Sequence, residues 1–404
     1  MSASASATNA ASPPVWHSIL AGMSAYLVGI GLARFAYTPL LPALVQGHWF
    51  DASQAAYLGA ANLAGYLVGA LAANPLASRW PTRGVLRMTM LITSLALLAC
   101  AWPLSVSWYF GWRFVSCFGG GVLMVLAAPA VLPRIAPARR GMAGGLVFLG
   151  VGLGVAASGT LVPLLLQHGL ALTWAGLAAL SLLLTAVAWG GWMASDLAQP
   201  KDVAEASPLP TNWPLRALWL QYALVGMAVV PHMVFLVDYV ARGLGEGVIA
   251  GSRFWVAFGI GAMAGPVAAG QLADRLGLRR ALQLAYGLLL VAMVIALLGL
   301  LGRTGLYISS TLMGALTPGI VPLVLGRVQE LLATRPPAHR EAWSRATVAF
   351  ATMQAAGAYG MSFLLTHSGG NYALLFGLGT VAVVGVLAVE AATRLLPTPQ
   401  SMPS

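Results

Sequence analysis

Apolar runs of about 20 residues recur roughly twelve times along this chain, separated by short loops, and a helix needs about that length to cross a hydrocarbon core of roughly 30 Å. The chain has 59% hydrophobic and 8% charged residues, against about 25% charged in soluble domains. In lipid every backbone polar group needs an internal partner, so such runs form helices. The expected fold class is an all-α membrane protein with twelve transmembrane helices in two pseudo-symmetric six-helix bundles.

The net charge of +11 does not indicate nucleic acid, because its placement follows the spans. With a cytoplasmic N-terminus, sixteen Lys and Arg fall on the inner side, and only Arg242, Arg253 and Arg303 fall outside; Arg34 and Arg113 lie within spans. This bias predicts that both termini are cytoplasmic. Residues 1–15 carry no Lys or Arg, so they read as a disordered cytoplasmic tail and not as a signal peptide. Cys100 and Cys117 sit in apolar runs as packing residues. No zinc spacing or P-loop is present, so neither a metal nor a cofactor is expected, nor direct ATP hydrolysis by this chain as a driving force.

Ser195–Asn212 is the sizeable polar break, with Lys201, Asp202, Glu205 and three prolines. It divides the chain into a bundle over 16–194, a cytoplasmic linker over 195–213, a bundle over 214–395 and a tail over 396–404. An offset of 196 residues places Gly65 on Gly261, Gly69 on Gly265, Arg79 on Arg275 and Arg83 on Arg279, a faint internal repeat. Spans 1, 4, 7 and 10 carry internal prolines, which points to helices lining a central cavity, although proline is common in membrane helices generally. Small residues at Gly150, Gly154 and Ser158 in span 5, and at Gly261 and Gly265 in span 8, form ridges on one face. They pack either where the halves meet or within one half.

Gly270 to Leu282 reads GQLADRLGLRRAL and falls between two spans. Gly270, Asp274, Arg275, Gly277 and Arg280 resemble the signature loop of the major facilitator superfamily, which implies a conformational latch there. Asp274 is the position poised to meet a basic residue or a helix N-terminus. The runs GIGLARFAYTPLLPAL, AAYLGAANLAGYLVGAL and VVPHMVFLVDYVARGLG are similar to the YbfB/YjiJ type of that superfamily, a bacterial group. The resemblance implies a secondary transporter in the bacterial inner membrane, moving a small solute by alternating access and no enzyme. It also implies an arginine used in coupling at Arg113, although the glycine that usually follows four residues later is Cys117 here.

The candidate chemistry rests on few residues. Arg34 lies roughly 24 Å into the first span at about 1.5 Å per residue, where a guanidinium costs at least about 2.5–3.5 kcal/mol. It faces a wet cavity and binds an anion, or is fixed by polar residues. Tyr37 and Thr38 follow, with Tyr37 expected on the same face at i+3. Arg113 either faces the cavity or snorkels to the outer surface. If both arginines face inward, a small carboxylate suits the site. The substrate-binding candidates are therefore Arg34, Tyr37, Thr38, Arg113 and His232. Arginine does not titrate in the working range, so proton coupling falls to Asp238 and His232, with Arg113 assisting. Asp238 alternatively pairs with Arg242 at i+4, and His232 alternatively serves packing. Asn62 and Gln354 are expected to hydrogen-bond between helices. Partners are a small-molecule substrate, protons and the bilayer, with a monomer as the expected state. Export of a neutral or amphipathic compound and a non-transporting sensor are the alternatives.

Overall fold

The computed structural model describes residues 15–136, 139–192 and 212–395. Apart from Val15, Asn212 and Trp213, the expected tails and linker lie outside them. The described chain is helical throughout, with no strand. The N-terminal half contains α1 (Val15–Tyr26, a π-helical stretch Leu27–Phe35, then Tyr37–Gln46), α2 (Ala52–Arg79), α3 (Thr82–Ala99), α4 (Val106–Val131), α5 (Arg140–Leu166) and α6 (Leu170–Ala188). The C-terminal half begins with α7 (Trp213–Ala228, prolonged through π-helical turns at Pro231–Phe235 and Tyr239–Gly243). It continues with α8 (Gly247–Leu276), α9 (Leu278–Leu298), α10 (Gly302–Leu331), α11 (His339–His367) and α12 (Tyr372–Leu395).

Among the described residues, eleven helices are long and apolar enough to cross a membrane. The remaining one, α2, has 28 residues and extends about 42 Å at 1.5 Å per residue, enough to span. Its start is fixed by a capping box, in which the Asp51 carboxylate accepts from the Gln54 N–H at 2.7 Å and the Gln54 side chain accepts from the Asp51 N–H at 3.1 Å. Ser105 caps α4 by accepting from the Trp108 N–H. Both α1 and α7, the first helices of their halves, are interrupted by π-helical turns, which displace side chains from α-helical register.

The repeat seen in the sequence is a repeat of close packing. A Cβ on Gly65 would lie 2.3 Å from the Phe114 carbonyl oxygen, and one on Gly69 would lie 2.0 Å from that of Phe118. In the other half a Cβ on Gly261 would lie 1.9 Å from the Thr311 oxygen, and one on Gly265 would lie 2.0 Å from that of Ala315. Glycine thus lets α2 meet α4, and α8 meet α10, backbone to backbone. This places Gly261 and Gly265 within the C-terminal half, not where the halves meet.

The ridge on α5 also packs within its own half. Cβ atoms on Gly150 and Gly154 would lie 2.0 Å from the Met23 oxygen and 2.1 Å from the Gly31 Cα of α1. A different row on α5 makes the contact across the halves. Cβ atoms on Gly141, Gly145 and Gly152 would lie 2.8 Å from the Gly270 oxygen, 2.4 Å from that of Pro266 and 1.9 Å from that of Ala262. The seam between α5 and α8 therefore runs antiparallel for most of both helices, and α5 is held by backbone contact on two faces.

Candidate substrate-binding site

Arg34 leaves the π-helical stretch of α1 and reaches across to the other half, where its guanidinium donates to the Gln354 side-chain carbonyl of α11. Its Cζ lies 4.5 Å from the centre of the Tyr66 ring and 5.9 Å from that of Phe35, so aromatic faces carry part of the charge. Phe35 in turn approaches Trp255 of α8, with ring centres 6.4 Å apart. Gln354 donates onward to the Met233 sulfur at 3.2 Å. Arg34 is only half-buried, and among the described residues no carboxylate pairs with it. The result is a permanent cation, flanked by aromatic rings, at the junction of the two halves.

Arg113 is a different case. It is fully buried, so it does not snorkel. Its Nε and Nη2 donate to Asn62 Oδ1 at 3.1 and 2.8 Å, and Nη2 also donates to the Ala33 carbonyl at 2.6 Å. The rings of Tyr37 and Trp174 lie 4.8 and 5.3 Å from its Cζ. Asn62 and Gln354, expected as interhelical partners, are the neutral acceptors of the two membrane arginines. The sequence expectation is that Tyr37 lies on the face of Arg34 at i+3; a π-helical stretch runs through Arg34 and ends just before Tyr37. The Tyr37 ring lies against Arg113, while Arg34 meets Tyr66 and Gln354. Thr38 is half-exposed next to them in sequence.

The titratable candidates stand apart from this junction. His232 is fully buried, bonded through Nε2 to Ser309 Oγ at 2.8 Å and edge-on to Phe376 at 5.2 Å. Ser309 gives its own proton to the Ala292 carbonyl, so its oxygen accepts and His232 carries hydrogen on Nε2. The structure places the ring inside the C-terminal half, between α7, α10 and α12, not beside Arg34. Asp238 forms the i+4 ion pair with Arg242 and also accepts from the Tyr372 hydroxyl at 2.6 Å. Both candidates are held by neighbours in their own half.

The signature loop crosses the halves. Asp274 Oδ2 accepts the Met142 N–H at 2.9 Å, at the N-terminus of α5, where the helix dipole favours an anion. Gly270 allows this approach, since a Cβ there would lie 2.3 Å from the Gly141 oxygen. Gly277 ends α8 at φ +82°, a conformation suited to glycine. Arg275 and Arg280 are exposed. On the same side, Trp343 Nε1 of α11 donates to the Met124 carbonyl of α4 at 3.2 Å. The halves are thus joined on the side of the signature loop. Asp274→Asn removes the charge from this junction, and the population closed on that side is expected to fall about two- to fivefold. Labelling rates of a cysteine engineered near Met142 would measure the shift, and equal rates in mutant and parent would contradict it.

One cluster escaped sequence reading. Glu390 of α12 accepts from Gln221 of α7 at 3.0 Å and Gln283 of α9 at 2.6 Å, and pairs with Arg279 at 3.4 Å. It ties three helices of the C-terminal half together near the signature loop. The polar residues were visible in the sequence, but their convergence was not.

A family model described as Uncharacterised MFS-type transporter YbfB matches residues 26–390. The chain belongs to that family. It is therefore a multi-pass membrane transporter of a small molecule, and not an enzyme. The fold agrees with the solved proton:xylose symporter XylE bound to 6-bromo-6-deoxy-D-glucose, at a TM-score of 0.73 and 13% identity, covering 95% of this chain and 96% of that one. The 4-hydroxybenzoate transporter PcaK of Acinetobacter baylyi is 33% identical over 135 residues, which are 33% of this chain and 29% of that protein. The match thus spans less than a third of that relative's length.

Proposed function

We propose that this YbfB-family transporter moves a small organic anion, an aromatic carboxylate in particular, across the bacterial inner membrane. It works as a proton-coupled monomer by alternating access, with both termini cytoplasmic. The observation that carries this reading is Arg34, a half-buried guanidinium where the halves meet, with rings beside it and no carboxylate partner among the described residues. Arginine grips a carboxylate through two parallel hydrogen bonds, and the buried Tyr66 and Phe35 make the surroundings of this arginine aromatic. The partial similarity to a 4-hydroxybenzoate transporter supports the aromatic class. Contacts made by both halves to one solute let its binding bias their rocking.

Uptake of radiolabelled benzoates into proteoliposomes, compared with the matching uncharged amides, tests this directly. Saturable uptake is expected for the acids and at least about tenfold weaker uptake for the amides, since a charge-assisted hydrogen bond contributes about 1.5–3 kcal/mol. Equal uptake of acid and amide would overturn it.

Proton coupling rests on Asp238 and His232. Replacing the proton carrier is expected to abolish accumulation driven by a pH gradient while exchange of solute continues. Asp238→Asn and His232→Gln, each assayed for pH-dependent uptake, locate it. Unchanged pH profiles in both variants would remove these two residues from coupling.

A further inference from the structure

Arg113 poses a problem that its known neighbours do not solve. Its charge is permanent and fully enclosed, yet all its hydrogen-bond partners are neutral, namely Asn62, the Ala33 carbonyl and the Cys117 sulfur. Its Nη1 is buried and has no partner. Two further buried donors close by also have none, Trp174 Nε1 and the Tyr109 hydroxyl. The Trp174 ring lies 5.3 Å from the Arg113 Cζ, and the Tyr109 ring lies 5.7 Å from that of Trp174. Trp174 and Tyr109, like Arg113, are fully buried.

Three buried polar groups without partners thus belong to one cluster of the N-terminal half, in which only aromatic faces and neutral acceptors meet the arginine's charge. Buried polar groups in native proteins are almost always bonded, and a buried charge needs an opposite one. The indole and guanidinium N–H groups can only donate, so the missing partner must be an acceptor. A water could accept from Arg113 and Trp174 and donate to the Tyr109 hydroxyl, but it brings no charge, whereas a small anion accepts from all three groups and also neutralises the arginine.

We propose that Arg113, Trp174 and Tyr109 form a binding site for a halide-sized anion, chloride in particular, enclosed within the N-terminal half and separate from the substrate contact at Arg34. Its role is to complete the packing of α4 and α6 around the buried arginine. The site is enclosed, because all three residues are closed to solvent.

The experiment uses the full-length protein in nanodiscs, with thermal unfolding followed while sodium chloride or bromide replaces sodium gluconate at constant ionic strength. A saturable rise in midpoint with chloride and bromide is expected. Trp174→Phe and Tyr109→Phe keep ring size but each remove one donor, and each is expected to weaken the apparent halide affinity roughly tenfold. Arg34→Ala is expected to leave the halide response unchanged. A midpoint indifferent to halide in the parent protein would overturn the proposal. So would a halide titration unaltered in the Trp174→Phe/Tyr109→Phe double variant, or one lost in Arg34→Ala, which would place the anion at the junction of the halves instead. Bromide-soaked crystals offer a second readout, with an anomalous peak expected beside Arg113 Nη1.

Discussion

Gly152→Val is expected to abolish transport and to lower the yield of folded, monodisperse protein severalfold. A Cβ alone at this position would lie 1.9 Å from the Ala262 carbonyl oxygen, and a branched side chain adds two further carbons. The obstacle is backbone, so no rotamer change on α8 relieves it. The two helices must separate along a seam that runs most of their length. Overpacking of this kind costs about 1–3 kcal/mol or more. Gly287→Ala is the control. Gly287 lies within α9 with nothing within 4 Å of a Cβ, so alanine there is expected to be neutral or to stabilise by up to about 1 kcal/mol through helix propensity. Size-exclusion profiles and uptake rates of both variants measure the contrast. Normal uptake by Gly152→Val would show that the seam is not close-packed in the working protein.

Arg34→Ala is expected to reduce substrate uptake by about a hundredfold or more, because it removes the proposed anion contact and the link to Gln354 together. Insertion and folding should persist, since losing a guanidinium from the membrane interior also removes its desolvation cost. Arg34→Lys keeps the charge but not the fork that grips a carboxylate in two places, so its uptake is expected to fall between the two. Binding followed by thermal shift separates affinity from turnover. Normal saturable uptake by Arg34→Ala would end the case for an anionic substrate held there.

The fold was legible because hydropathy, loop charge and the signature loop act at the scale of whole helices. The offset repeat was also legible, and it corresponds to matching glycine contacts in α2 with α4 and α8 with α10. The destination of each small-residue face was not. Gly150 and Gly152 are two residues apart, yet one meets α1 and the other α8, and a single sequence carries no sign of which neighbour lies on which side. At the site, both membrane arginines stood out because a charge in lipid is costly. Their partners did not, since the pairing of Arg34 with Gln354 joins residues separated by 320 positions. The contact of the Tyr37 ring with Arg113 was not legible either, because it joins α1 to α4 across 76 positions (113 − 37). Trp174 and Tyr109 gave no signal at all, because an aromatic residue in an apolar run is ordinary until its polar atom is found without a partner.

The seam between α5 and α8 bears on how such a molecule moves. Where large side chains interlock, sliding one helix past another requires each knob to leave its socket, and the energy surface is corrugated. Along Gly141, Gly145 and Gly152 the opposing surface is largely main chain, smooth on the scale of a side chain. If the halves rock as proposed, translation or tilt along this row is expected to change few rotamers and open few voids. The molecule thus separates tasks along one helix. Both rows of α5 meet main chain, but only the row facing α8 crosses between the halves, so in the proposed rocking it is the one that slides, with the Asp274 contact to the Met142 N–H at its end.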